Sequence, residues 1–256
     1  MDQEKRRVYL IKKLLAEKPE YREIKIPKHE KMQKMLLRAL FNVREPKKMD
    51  FKFKLIQDQY LRIENFNKGV VKCDSFKPGI SIWQGDITRL GVDAIVNAAN
   101  SGMTGCYQPN HACIDNAIHT YAGIELRNKC DELMQKQGHL EETGKAKITP
   151  AYNLPSKYVI HTVGPIVQDQ VTDLEKEQLR DSYLNCLKIA DENKVRSIAF
   201  PCISTGVFSF PNELAAEIAV KTVQEFLQKK SNVQKVIFNV FKEKDRRIYE
   251  SLLKTN

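Results

Sequence analysis

Residues 197–211 read SIAFPCISTGVFSFP. Four small or apolar residues are followed by a Pro-Cys break, a run of small polar residues with a glycine, and a second proline. The first four have the length and character of a buried strand. Pro211 suits the first turn of a helix, and Leu214, Ile218 and Phe226 continue it at helical spacing. Between them, Ser204, Thr205 and Gly206 offer consecutive backbone N–H groups that suit an anion. The same rhythm extends in both directions. Short apolar runs at 80–83, 94–96, 147–149, 158–161 and 236–240 predict strands. Helical periodicity falls between them, most clearly at Leu179, Tyr183, Cys186, Leu187 and Ala190, and a last helix is expected over 244–253. This alternation predicts an α/β fold with a mainly parallel sheet and helices on both faces. Ligands of such sheets bind beyond the carboxyl ends of the strands, so the loops that follow strands are where chemistry is sought.

Charge divides the chain. Of its 256 residues, 42 are Lys or Arg and 32 are Asp or Glu, a formal net of +10. Residues 1–75 hold 20 basic and 11 acidic residues, and the remainder 22 and 21. The basic third reads as helical, with Val8, Ile11, Leu14 and Leu15 on one face and Met32, Met35, Leu36, Ala39 and Leu40 on another. The expected organisation is a helical extension over 1–75 and an α/β domain over 76–256. The methionines are expected to fill core. No recognition-helix or RNA-binding signature accompanies the basic residues, which argues against nucleic acid. No apolar run reaches the length of a membrane span. The first twenty residues carry charge throughout, unlike a secretory leader. Six cysteines at 73, 106, 113, 130, 186 and 202 then read as reduced thiols, which places the protein in the cytoplasm.

Four loops stand out. Gln84-Gly85-Asp86-Ile87-Thr88 offers a carboxylate beside a glycine, suited to an exocyclic amine, although Gly-Asp is also ordinary turn chemistry. Asn97-Ala98-Ala99-Asn100 places small residues between two amides. The loop over 201–208 matches neither the mononucleotide P-loop nor the G-x-G-x-x-G pattern. The most specific is GMTGCYQPNHAC at 102–113. Cys106, His111 and Cys113 form C-x4-H-x-C, a ligand set suited to Zn²⁺. Three ligands without a neighbouring fourth imply an open, reactive position. A structural site closed by Cys73 or Cys202, or two unrelated thiols beside a loop histidine, are the other readings. Asp115 and His119 follow on one helix face, the first at a helix N-terminus, the second expected to pack.

Taken together, these loops resemble the macrodomain family. GDIT at 85–88, DAIVNAAN at 93–100, KYVIHTVGP at 157–165 and AFPCISTGVFSFP at 199–211 follow its order. The resemblance covers roughly residues 79–255 and implies a three-layer α/β/α fold with a mixed central sheet that binds ADP-ribose. It implies that Asp86 takes the adenine amino group, with Ile87 lining that end and Phe241 near the base. Ser204, Thr205, Gly206, Val207 and Phe208 would wrap the diphosphate and distal ribose. Asn100 and Asp115 would act at the distal ribose, beside Cys113 and Ile114. The cysteine-bearing insertion is similar to that of a zinc-dependent microbial branch, which also carries a helical N-terminal extension. There Cys106, His111 and Cys113 would hold zinc. Members of that branch are protein–ADP-ribose hydrolases, often acting with a sirtuin-type transferase and a lipoyl-carrier protein. The expected activity is zinc-dependent removal of ADP-ribose from protein side chains. A non-catalytic ADP-ribose reader and an O-acetyl-ADP-ribose deacetylase are the alternatives, and zinc as Lewis acid or as hydroxide generator stays open.

Overall fold

In the computed structural model, residues 1–254 are described. In chain order the strands are β1 (Val71–Lys72), β2 (Gly79–Gln84), β3 (Leu90–Gly91), β4 (Ala94–Ala98), β5 (Ala146–Pro150), β6 (Tyr158–Thr162), β7 (Ser197–Phe200) and β8 (Lys235–Val240). The helices are α1 (Gln3–Leu15), α2 (Glu30–Val43), α3 (Phe51–Asn67), α4 (Ile114–Ala122), α5 (Ile124–Gln137), α6 (Asp173–Glu192), α7 (Asn212–Leu227) and α8 (Glu243–Lys254).

Six strands form one sheet in the order β2-β8-β7-β4-β6-β5. All neighbours are parallel except β5, which runs antiparallel to β6. The sheet is therefore mixed, with the inner parallel strands β4, β6, β7 and β8 buried on both faces, as their continuous apolar runs require. Alternate side chains serve opposite layers. Ile95, Val159, Ala199 and Ile237 pack with Ile118 and Ala122 of α4 and Leu126 of α5. Val96, Ile160, Phe200 and Phe238 pack with Leu179 and Tyr183 of α6, Ala219 of α7 and Tyr249 of α8. The two faces give the expected α/β/α sandwich.

Helices α1 to α3 form a further layer over α4 and α5. Its core is Leu10, Ile11, Leu14, Leu37, Leu40, Phe41, Phe53, Ile56, Tyr60 and Leu61, and it reaches the sandwich through Ile124. The face of α2 differs from the expected one. Gln33, Leu37, Leu40, Phe41 and Asn42 are its buried residues, whereas Met32 and Met35 are 48% and 43% exposed and fill no core. Two polar residues on the buried face explain the difference. Gln33 accepts from Arg7 Nε at 2.9 Å, and Asn42 donates to Thr120 Oγ1 at 3.0 Å.

Arg127 of α5 joins the layers. Its Nη1 donates to the carbonyls of Phe41, Asn42 and Arg44, at 3.0, 2.7 and 2.6 Å. These end α2, where carbonyls lack helical partners and a cation is favoured. Its Nε donates to Thr104 O at 2.7 Å, which fixes the start of the cysteine-bearing loop. Replacing Arg127 by Met is expected to lower the unfolding free energy by about 3 kcal/mol, because several buried acceptors lose a charged donor together. Urea denaturation of both proteins measures this.

Candidate active site

The sheet order sets the candidate site in a row. Asp86 follows β2, Phe241 follows β8, residues 204–208 follow β7 and the cysteine-bearing loop follows β4. Adjacent strands lie about 4.8 Å apart, so β2 to β4 spans roughly 14 Å along one edge of the sheet. Each loop leaves the carboxyl end of a parallel strand, so all four open on the same side.

Asp86 caps a 3-10 turn over Ile87–Arg89. Its Oδ1 accepts from Thr88 N at 3.0 Å and from Thr88 Oγ1 at 2.6 Å. Burial works against its charge, but the Lys68 ammonium and the bonds from Lys68 and Thr88 hold the carboxyl below its usual range. Ile87 is buried beneath, and Phe241 stands 76% exposed at the other side of this end.

The loop after β7 is shaped by Ser204, which has a left-handed backbone with φ of 64°. Its carbonyl accepts from Phe210 N at 3.0 Å, and Phe208 O accepts from Val167 N at 2.9 Å. These bonds close the loop and tie it to the segment after β6. Among the described residues, the amides of Gly206, Val207 and Phe208 donate to no backbone carbonyl. Ser204 Oγ is buried with no partner among the described residues. Free donors grouped this way suit phosphate oxygens.

After β4, Cys106 Sγ lies 3.5 Å from His111 Nδ1. The ligand atoms of Cys106, His111 and Cys113 all fall within 4.8 Å of one another. Tetrahedral zinc, with bonds of about 2.3 Å to sulfur and about 2.0 Å to nitrogen, separates such a pair by about 3.5 Å. The three side chains therefore fit zinc. Burial pushes the Cys113 thiol up to about 11, against the bond from Asn116 N and with added effect from Cys106 and Asp115, so Cys113 does not favour its thiolate without a cation. Neither Cys73 nor Cys202 belongs to this cluster. The helical layer holds the loop from behind. Arg38 Nη2 donates to His111 O at 3.0 Å, and Asn42 Oδ1 accepts from Asn110 N at 3.0 Å. Gly105 is also required here, because a Cβ at that position would lie 2.8 Å from the His119 ring.

Asp115, in the first turn of α4, accepts from Asn97 Nδ2 at 2.7 Å and from Asn100 Nδ2 at 3.4 Å. Burial raises its carboxyl to about 6, against the opposing effects of Asn97 and Arg127. A buried carboxyl poised near neutrality at a sheet edge is a candidate acid or base. Asn100 is more exposed than Asp115 and is shaped by Gly102 N, which donates to its Oδ1 at 3.0 Å. Cys113 caps α4 with its sulfur, which accepts from Asn116 N at 3.4 Å, and Ile114 begins the helix.

Beneath Asp115 lies a second buried group, His119, Cys130 and His161. As expected, His119 packs inside and stays outside the Cys106 cluster, but neither ring nitrogen has a hydrogen-bond partner among the described residues. His161 approaches Asn97 Nδ2 at 3.2 Å and Thr149 Oγ1 at 3.0 Å. Burial lowers its pKa from 6.5 to about 3. Below pH 6.5 the unfolded chain gains a proton that folded His161 refuses, so stability falls by about 1.4 kcal/mol per pH unit down to about pH 3. Above pH 6.5 the contribution is level. Asp115, whose pKa is raised, acts in the opposite sense, so the comparison is with His161→Gln. Between pH 6.5 and 5, urea denaturation should show wild type losing about 2 kcal/mol more than the variant.

The chain is similar to known proteins along most of its length. The Macro domain family matches residues 96–219. Over 99% of its length the chain is 54% identical to the whole of a protein-ADP-ribose hydrolase from Treponema medium. The chain belongs to the macrodomain family. It is also 50% identical to mouse ADP-ribose glycohydrolase MACROD1, over 68% of this chain and 51% of that protein. Among solved structures, an Oceanobacillus iheyensis macrodomain with ADP has 41% identity and a TM-score of 0.62, covering 68% of this chain and 89% of that one. A Trypanosoma brucei macrodomain in complex with ADP-ribose has 27% identity and a TM-score of 0.66, covering 84% and 94%. All the macrodomain site residues expected from sequence fall on the loops at this sheet edge or on the first turn of α4. Lys68, Asn97 and His161 join them. Asn97 and His161 lay within quoted motifs without an assigned role, and Lys68 had no distinguishing signal.

Proposed function

We propose that this macrodomain hydrolyses ADP-ribose from mono-ADP-ribosylated protein side chains, with zinc held by Cys106, His111 and Cys113. The observation that carries the proposal is the row of loops in strand order, which runs from Asp86 through the anion loop to Asn100, Asp115 and the cysteine-bearing loop. Its length and chemistry match a base, a diphosphate and a distal ribose in sequence. Asp86 accepts from the adenine amine, above Ile87 and beside Phe241. The amides and side chains of Ser204, Thr205, Gly206, Val207 and Phe208 hold the diphosphate and turn the distal ribose toward Asn100. Asn100 donates to a ribose oxygen, while Asp115 orients a hydroxyl or takes a proton at its carboxylate. Cys113 and Ile114 line that end. Bound zinc would supply either polarisation of a distal-ribose oxygen or ionisation of a water. The relatives named as hydrolases support cleavage over simple binding.

Residues 1–75 serve in this reading as a layer that braces the cysteine-bearing loop through Arg38 and Asn42. The resemblance to the zinc-dependent branch extends the proposal to a lipoyl-carrier protein modified by a sirtuin-type transferase. No described helix is long and apolar enough to cross a membrane, and all six cysteines are free. The free thiols support a cytoplasmic setting. Incubation with a mono-ADP-ribosylated protein tests the activity. Free ADP-ribose should accumulate as the modification disappears. Modification retained despite binding of free ADP-ribose would establish a reader instead.

A further inference from the structure

Lys68 ends α3 as its C-cap residue, a position that favours a cation. Its side chain leaves the helical layer and reaches the sandwich. The Nζ atom lies 2.6 Å from Asp86 Oδ2 and 2.6 Å from Thr88 Oγ1. It also sits 3.4 Å above the Tyr121 ring of α4, which favours a cation over its face. Thr88 Oγ1 accepts from Lys68 while donating to Asp86 Oδ1, so the three side chains form a closed ring. Side-chain exposure is 22% for Lys68 and 33% for Asp86, so the pair is partly shielded from solvent and salt.

A carboxylate has about four lone-pair sites. Thr88 N and Oγ1 occupy Oδ1, and Lys68 occupies one site on Oδ2. One direction on Oδ2 is left for an outside donor. We propose that Lys68 is a positioning residue, supplied by the helical layer, which fixes the Asp86 carboxylate so that its remaining lone pair selects an amino-purine over an oxo-purine nucleotide. The proposal rests on the reading that Asp86 receives the adenine amine. An adenine presents a donor at that ring position and a hypoxanthine presents an acceptor, which an acceptor-only carboxylate rejects.

The test compares ADP-ribose with its hypoxanthine counterpart, inosine diphosphate ribose, by calorimetry on the full chain. Lys68→Met keeps the length of the side chain and removes its charge. It should weaken ADP-ribose binding about tenfold, as expected for the loss of one charge-assisted contact, and change the hypoxanthine ligand by less than about twofold. KM should follow the loss while kcat holds within about twofold, because the base is remote from the cleaved bond. Lys68→Arg should restore most of the preference. Equal weakening of both ligands, or no change in either, would overturn the role of Lys68. Asp86→Asn separates the two layers of the inference. If it weakens ADP-ribose binding while Lys68→Met does not, only the Lys68 proposal fails. If Asp86→Asn leaves ADP-ribose binding unchanged, the assignment of Asp86 fails with it.

Discussion

His111→Ala is expected to cut release of ADP-ribose from a modified protein by about two to three orders of magnitude, with affinity for free ADP-ribose kept within about threefold. The separation follows from how the loop is held. The carbonyl of His111 is fixed by Arg38 from α2, and Asn110 N is held by Asn42. Arg127 fixes Thr104 O. The backbone path therefore depends on the helical layer and α5 and does not need the imidazole. Losing the imidazole removes one of three candidate zinc ligands but leaves the anion loop and Asp86 untouched. Single-turnover release and calorimetric binding on the same preparation measure the two effects. Parallel loss of both would mean that the imidazole shapes the binding cleft.

Gly164→Ala is expected to weaken ADP-ribose binding by about 10- to 100-fold. A Cβ there would overlap Ser204 Oγ and lie 2.7 Å from Ile203 Cγ2. Ser204 Oγ can turn to another rotamer, but Ile203 is fully buried and β-branched, so its Cγ2 has no free space to enter. The loop itself must move, and with it the amides of Gly206, Val207 and Phe208. Hydrogen bonds to a phosphate weaken steeply with distance and angle, so a shift of this size is felt first in affinity. Calorimetry with ADP-ribose checks the expectation. An unchanged affinity would show that the diphosphate does not rest on this loop.

The sheet was readable because its strands carry their burial in composition. Ile-Ala-Phe after Ser197 and Val-Ile-Phe after Lys235 are apolar on both faces, as parallel strands require. The loops were readable for a related reason. Chemistry at a sheet edge uses Gly, Ser, Thr, Asn, Asp, Cys and His where a regular element has no need of them. The α2 face was misread because periodicity counts apolar residues, while Gln33 and Asn42 are buried through hydrogen bonds to Arg7 and Thr120. Lys68 escaped for a different reason. It is one of 20 basic residues in the first 75, and no local spacing separates it from the solvated ones. Its partner Asp86 is 18 residues away, beyond any helical repeat. The basic excess of the first 75 residues thus includes Arg38 and Lys68, which reach the sandwich.

In the proposed function the cysteine-bearing loop turns an ADP-ribose-binding cleft into a hydrolase. Metal content and release, measured before and after chelation on one preparation, test it most directly. One zinc per chain is expected, with release that stops on chelation and returns on adding zinc, and ADP-ribose binding that persists throughout. Undiminished release from metal-free protein would contradict it.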